Sequence, residues 1–208
     1  MARNAASFKR SKPRFLPQPT VLVICEDSKS GKRYLEDASV HFRVKVQVEI
    51  THCGKTDPLN IVKEALSRQG KFDRVFCVID RDTHANFIEA LSLAKTSKKV
   101  ETITSYPCFE FWLLLHFGFS RKPYTSVGKY SAAELLIKDL RAYPGFENYD
   151  KGKDQNIFIL LIDRLADAHR FASNALIQAI DSGEMNPSTR LHQLISYFET
   201  LSVPQKTS

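Results

Sequence analysis

From Pro19 to about residue 104 the chain alternates short β-branched, apolar runs with stretches of helical periodicity, and this alternation constrains the fold most. Residues 20–25 (TVLVIC) form a nearly continuous apolar run, the pattern of a strand buried on both faces. A helix over about 30–39 follows, with Tyr34, Leu35 and Ala38 on one side. Residues 44–50 (VKVQVEI) alternate as a strand with one wetter face. Asp57-Pro58 reads as an N-cap and first-turn proline opening a helix to about Gln69, and Gly70 stops it. Residues 74–80 (RVFCVID) give a third buried strand, 87–95 a third helix and 99–104 a fourth strand.

A β-α-β-α-β-α-β order needs crossover connections, so it predicts an α/β domain: a parallel four-stranded sheet flanked by helices, covering about residues 18–118. After Pro107 the character changes. Residues 108–118 (CFEFWLLLHFG) read as a hydrophobic helix ended by Gly118. Helical patterns at about 131–142, 154–181 and 188–201 follow without a convincing strand, and the long middle piece is expected to break or bend. Asn186-Pro187-Ser188 reads as the cap of the last helix, so 119–208 is expected to be a helical extension packed on the α/β domain.

The chain carries 30 Lys and Arg against 23 Asp and Glu, a net charge of +7, which points to a polyanionic partner only if the charge is clustered. It is not spread evenly. Arg3, Lys9, Arg10, Lys12 and Arg14 hold five of those seven charges without an acid among residues 1–20. Residues 1–17 therefore read as a basic flexible tail on a nearly neutral body. Cys25, Cys53, Cys77 and Cys108 lie 28, 24 and 31 residues apart, without the pairing of a zinc or redox motif. Three of them sit in or beside apolar runs and read as reduced core thiols. The N-terminus has no apolar h-region, and no run reaches the roughly 18 apolar residues of a membrane span. The expectation is a cytoplasmic protein that is not membrane-spanning.

In open α/β sheets, functional side chains gather past the carboxyl ends of the strands. Strand one ends in Cys25-Glu26-Asp27 and strand three in Asp80-Arg81-Asp82. At i, i+2 in extended chain, Asp80 and Asp82 project on one side and Arg81 on the other. With Glu26 from an adjacent strand they make an oxygen-rich cluster whose like charges call for a cation, and oxygen ligands suit Mg²⁺ or Mn²⁺.

Glutamate after strand one and DxD after strand three resemble the Toprim domain of topoisomerases, bacterial primases and OLD-type nucleases. The closer resemblance is to the RloB-like family, a Toprim-related group often encoded beside bacterial restriction and phage-defence genes. It is carried by VICEDSKSGKRYLE (23–36), VFCVIDRDTH (75–84), TSYPCFEFWLLLHF (104–117), YDKGKDQNIF (149–158) and NPSTRLHQLI (186–195). The resemblance implies that Glu26 acts as general acid/base or shares a metal, with Asp80 and Asp82 holding Mg²⁺. Tyr34, His84, Pro107, Phe109, Glu110 and Trp112 match other family signatures. Where the family pattern reads CEG-x-x-TE-x-x-Y, this chain has Asp27 for Gly, Ser30 for Thr and Gly31 for the second Glu.

His84 is a candidate proton carrier beside the acids. Glu110 lies in an apolar segment and is costly to bury unpaired, so it either faces the acidic site or binds a basic partner such as Arg81. Lys29, Lys32, Arg33, Arg81 and Lys151 are candidate phosphate or nucleic-acid contacts. Trp112 and His116 read as core residues. Tyr149 and Lys151 belong to a polar, basic stretch that the resemblance brings towards the site. The expected function is a Mg²⁺-dependent nuclease cleaving DNA or RNA, tRNA included, and the resemblance implies phage defence by abortive infection. The alternative is a catalytically weak or inactive nucleic-acid-binding or sensor subunit working with a partner ATPase or restriction-defence proteins.

Overall fold

A computed structural model describes residues 17–45, 47–81, 84–152 and 156–203. The basic tail, Asp82 and Lys153 fall outside the described residues.

The α/β part contains β1 (Val21–Cys25), α1 (Ser30–His41), β2 (Val48–Thr51), α2 (Pro58–Arg68), β3 (Arg74–Asp80), α3 (Phe87–Ala94) and β4 (Val100–Tyr106). α4 (Glu110–Leu114), α5 (Ala132–Leu140), α6 (Ile157–Leu161), α7 (Leu165–Ser182), β5 (Ser188–Thr189) and α8 (Leu191–Leu201) follow. The sheet has the order β2-β1-β3-β4-β5. β1 to β4 are parallel neighbours, and β5 pairs antiparallel with the end of β4. The α/β architecture read from the sequence is observed and is consistent with a Toprim-like sheet, but the four parallel strands expected are joined by a fifth, antiparallel one from the region expected to be wholly helical.

Strand alternation explains how the sheet is buried on both sides. Val21, Val23 and Cys25 of β1 join one core, and Leu22 and Ile24 join the other. The second core lies under α2 and α3, where Ile61, Val62 and Phe87 are fully buried. The first takes α1 and also Trp112, Phe158, Ala172 and Phe198 from the C-terminal helices. Cys25, Cys77 and Cys108 are buried and all four cysteines are free. Burial pushes the Cys77 thiol up to about 12, which keeps it unreactive. Among the described residues no helix is long and apolar enough to cross a membrane.

Local chemistry sets the boundaries. Asp57 caps α2 by accepting the Asn60 N–H at 3.0 Å, with Pro58 in the first turn. β2 is shorter than its alternating sequence suggests. Val44 is drawn into the core, and its carbonyl accepts the N–H groups of Gln47 and Val48, so this part is a turn. The segment 108–118 is helical only over Glu110–Leu114. The helical pattern at 154–181 divides into α6 and α7 at a 3₁₀ turn, Ile162–Arg164, in keeping with the expected break. Asn186-Pro187-Ser188 does not cap α8: Arg190 holds that position, and Ser188–Thr189 complete the sheet. The Ser105 and Thr189 hydroxyls are hydrogen-bonded at 3.0 Å inside that junction, so polar groups at the β4 edge are satisfied by pairing.

Candidate functional site

Parallel register places the acids. Cys25 lies opposite Val78, and the Glu26 N–H extends the ladder by donating to the Val78 carbonyl at 2.9 Å. The Glu26 carboxylate turns across the strand end, and its Oε2 accepts the Asp80 N–H at 2.9 Å. Asp80 Oδ2 accepts the Phe109 N–H at 3.1 Å, which ties β3 to the segment before α4. His84 Nε2 approaches Glu26 Oε1 at 3.5 Å. Burial, then the neighbouring Glu26 and Glu110 charges, hold the Asp80 carboxyl well above the usual carboxylate range.

Glu110 is 1% exposed. Its Oε1 accepts the Tyr149 hydroxyl at 3.0 Å, and its Oε2 meets Lys151 Nζ at 3.1 Å. The basic partner is therefore Lys151 rather than Arg81. Burial opposes the Lys151 charge most, but its interactions with Glu110 and the other acidic groups around it, Asp80 included, together outweigh that cost and hold its ammonium above the ordinary lysine range. Lys151 thus brings a fixed positive charge from the C-terminal part to the acids. Gly152 makes this approach feasible. Its φ is +95°, and a Cβ there would lie 2.7 Å from Lys29 Cδ, so the Lys29 stem packs directly on the backbone.

The other predicted cations separate. Arg81 lines the same cavity as Asp80, with its guanidinium 5.0 Å over the Phe87 ring, instead of projecting away from it. Lys29 also lines the cavity. Lys32 is ion-paired with Glu36 at 2.6 Å one turn along α1, and neither it nor Arg33 lines the cavity. Asp27 accepts the N–H groups of Lys29 at 2.8 Å and Gly31 at 3.0 Å, which organises the start of α1. Trp112 is fully buried. His116 donates its Nδ1–H to the Trp112 carbonyl at 3.0 Å, and burial lowers its pKa to about 4.

The cavity encloses about 670 Å³. Besides the acids it is lined by residues that sequence reasoning missed: His52, Thr56, Tyr124, Thr125, Ser126 and Asn186. His52 Nδ1 is fixed by the Cys25 carbonyl at 3.0 Å. The others carry no local motif; Asn186 read from sequence only as part of a helix cap.

Among the described residues no group of three His, Cys, Asp or Glu is placed to hold a metal ion. Asp82 lies outside them. The donors present, Glu26 and Asp80, are carboxylates pressed together with Glu110, and this chemistry fits a hard divalent cation.

A mostly parallel α/β sheet with acids at the carboxyl ends of β1 and β3, faced by a lysine from the segment between α5 and α6, defines the class of this protein. The RloB-like protein family model matches residues 21–198, and the chain belongs to that family. Neither a search of curated proteins nor one of solved structures found a match.

Proposed function

We propose that the protein is a Mg²⁺-dependent phosphodiester hydrolase acting on nucleic acid, with the cavity at the ends of β1 and β3 as its active site. The observation that carries this reading is the meeting of Glu26 and Asp80 opposite Lys151, which a buried carboxylate holds in place. Asp80, Glu26 and Asp82 would hold the cation. Bound there, Mg²⁺ would supply Lewis-acid polarisation of a phosphoryl oxygen.

The chain's own residues do the rest. The Asp80 N–H orients Glu26, leaving its Oε1 beside His84 to take a proton from water or return one to the leaving oxygen. Lys151 and Arg81 set positive charge on the wall where a phosphate would sit. The sequence resemblance supports a role in phage defence.

The test is metal-dependent cleavage of DNA, RNA and tRNA by purified protein, set beside Asp80→Ala. Cleavage lost in the variant is the expected result; equal cleavage by both would remove this site from the chemistry. Gly31, standing where the family pattern has a second acid, favours a second reading: a binding or sensor subunit acting with a partner ATPase. Salt-sensitive nucleic-acid binding with no turnover in Mg²⁺ or Mn²⁺ is its signature.

A further inference from the structure

The cavity has two unlike walls. One carries Glu26, Asp27, Lys29, Asp80, Arg81 and Lys151. The rest of the lining, from the segments at 106–108, 124–126 and 131–133 with Asn186, contains no charged side chain among the described residues. It is made of hydroxyl residues, Thr125, Ser126 and Ser131, and of the small apolar Ala132 and Ala133.

This neutral wall is held firmly. The Asn186 amide donates to the Tyr124 carbonyl at 2.7 Å and accepts the Tyr124 N–H at 3.4 Å. The Tyr124 hydroxyl donates to Asp139 of α5 at 2.8 Å. Ser131 and Glu134 close a reciprocal capping box at the start of α5. Arg121 donates to the carbonyls of Pro187 at 2.5 Å and Glu184 at 2.9 Å, which fixes the turn carrying Asn186. Two segments about sixty residues apart are thus joined into one preformed surface.

A phosphodiester that reaches Asp80 has to enter this recess, because Asp80 is part-buried. The recess has the volume of a sphere ~11 Å across, within the range of small-ligand pockets. A double helix, wider than its own ~12 Å major groove, cannot enter it. Neutral hydroxyls and small apolar surface suit the sugar and base of one unstacked nucleotide.

We propose that the 124–133 and Asn186 wall receives the sugar and base of a single nucleotide, so that the substrate is single-stranded or locally unpaired nucleic acid. The inference rests on the hydrolase reading only for the phosphate at the charged wall.

The experiment compares labelled oligonucleotides of one sequence, single-stranded and fully paired, in RNA and DNA form. Binding to Asp80→Asn is read by fluorescence anisotropy, and cleavage by the wild-type chain is read in Mn²⁺. Single strands are expected to bind about tenfold or more tighter than the duplex, the scale of one base contact. Ser126→Trp, which fills the neutral wall at an exposed position, is expected to remove that advantage while unfolding at the wild-type temperature. Equal binding of duplex and single strand, an unchanged preference in Ser126→Trp, or no binding of any probe overturns the proposal. If the preference and its loss are found but the wild-type chain cleaves neither probe, the pocket stands and the hydrolase reading falls.

Discussion

Both faces of the sheet are buried in a hydrophobic core, yet only one of them contributes to the candidate site from afar. The face under α2 and α3 is closed by segments that lie between consecutive strands. The other face is closed largely by helices after residue 108; α4 among them carries Glu110, and the segment between α5 and α6 brings Tyr149 and Lys151 to it. The first face is a scaffold made of local crossovers. The second couples packing to the site, so a loss of packing there is expected to reach the chemistry.

The largest effects break this comparison directly. Trp112→Ala, on the shared face, and Ile61→Ala, under α2, both truncate fully buried side chains. The costs are expected at about 3–5 and 2–5 kcal/mol respectively, read by denaturant unfolding. At a temperature where both variants remain folded, Mn²⁺ affinity should fall in Trp112→Ala and hold in Ile61→Ala. Equal losses of Mn²⁺ affinity would show that the faces do not differ in this way.

Acid should separate the two regions next. On the helical face, burial is the main cause holding His116 and His192 down at about 4. Unfolded, both would bind protons near 6.5, so the unfolded state binds more protons as pH falls from there to about 4. Stability contributed by their burial is full above 6.5 and is lost through that window, by up to about 1.4 kcal/mol per pH unit for each histidine. Asp80 has the opposite sign: its raised folded pKa means that the folded state gains protons first, so acid relieves the acid cluster. His192→Gln should flatten the acid limb of a stability–pH curve measured by urea unfolding, and Asp80→Asn should not.

The same argument makes Asp80→Asn a stabilising change at neutral pH, smaller than the cost of either core truncation. It removes a carboxylate crowded by Glu26 and Glu110 and keeps an oxygen able to accept the Phe109 N–H. Thermal unfolding without divalent cation is expected to shift upwards, while cleavage is lost. A downward shift would mean that the carboxylate is compensated better than its surroundings suggest.

Much of the scaffold was legible because its signals are local. β3 was read at 74–80 and lies at Arg74–Asp80, since a long β-branched run between polar ends has few other solutions. Glu26 and Asp80 could be paired in advance because parallel strands end on the same edge. β5 was illegible: two residues show no periodicity, and Ser188–Thr189 are strand only because the β4 edge binds them. The partner of Glu110 was similarly hidden, since burial of an acid demands a cation without saying which one. The neutral wall was missed for a third reason. Thr125, Ser126 and Asn186 belong to no catalytic pattern, and their cooperation depends on a tertiary contact between Tyr124 and Asn186.

The smallest effect sharpens the comparison where the two regions meet. Gly31 lies in the first turn of α1, packed beside Phe109 at the junction of the two regions. Its backbone has no need of glycine, for φ is not in the left-handed range, and a Cβ would meet the Phe109 ring at 3.5 Å and Asp27 Oδ2 at 3.9 Å. Both are ordinary contact distances. Alanine removes the entropy cost of glycine in a helix, so Gly31→Ala should stabilise by about 0.5–1 kcal/mol in denaturant unfolding. Gly31→Glu would start a third carboxylate from this contact position beside Asp27, and it is expected to raise Mn²⁺ affinity as measured by titration. A destabilised alanine variant would instead show that Phe109, whose N–H holds Asp80, cannot give way at all.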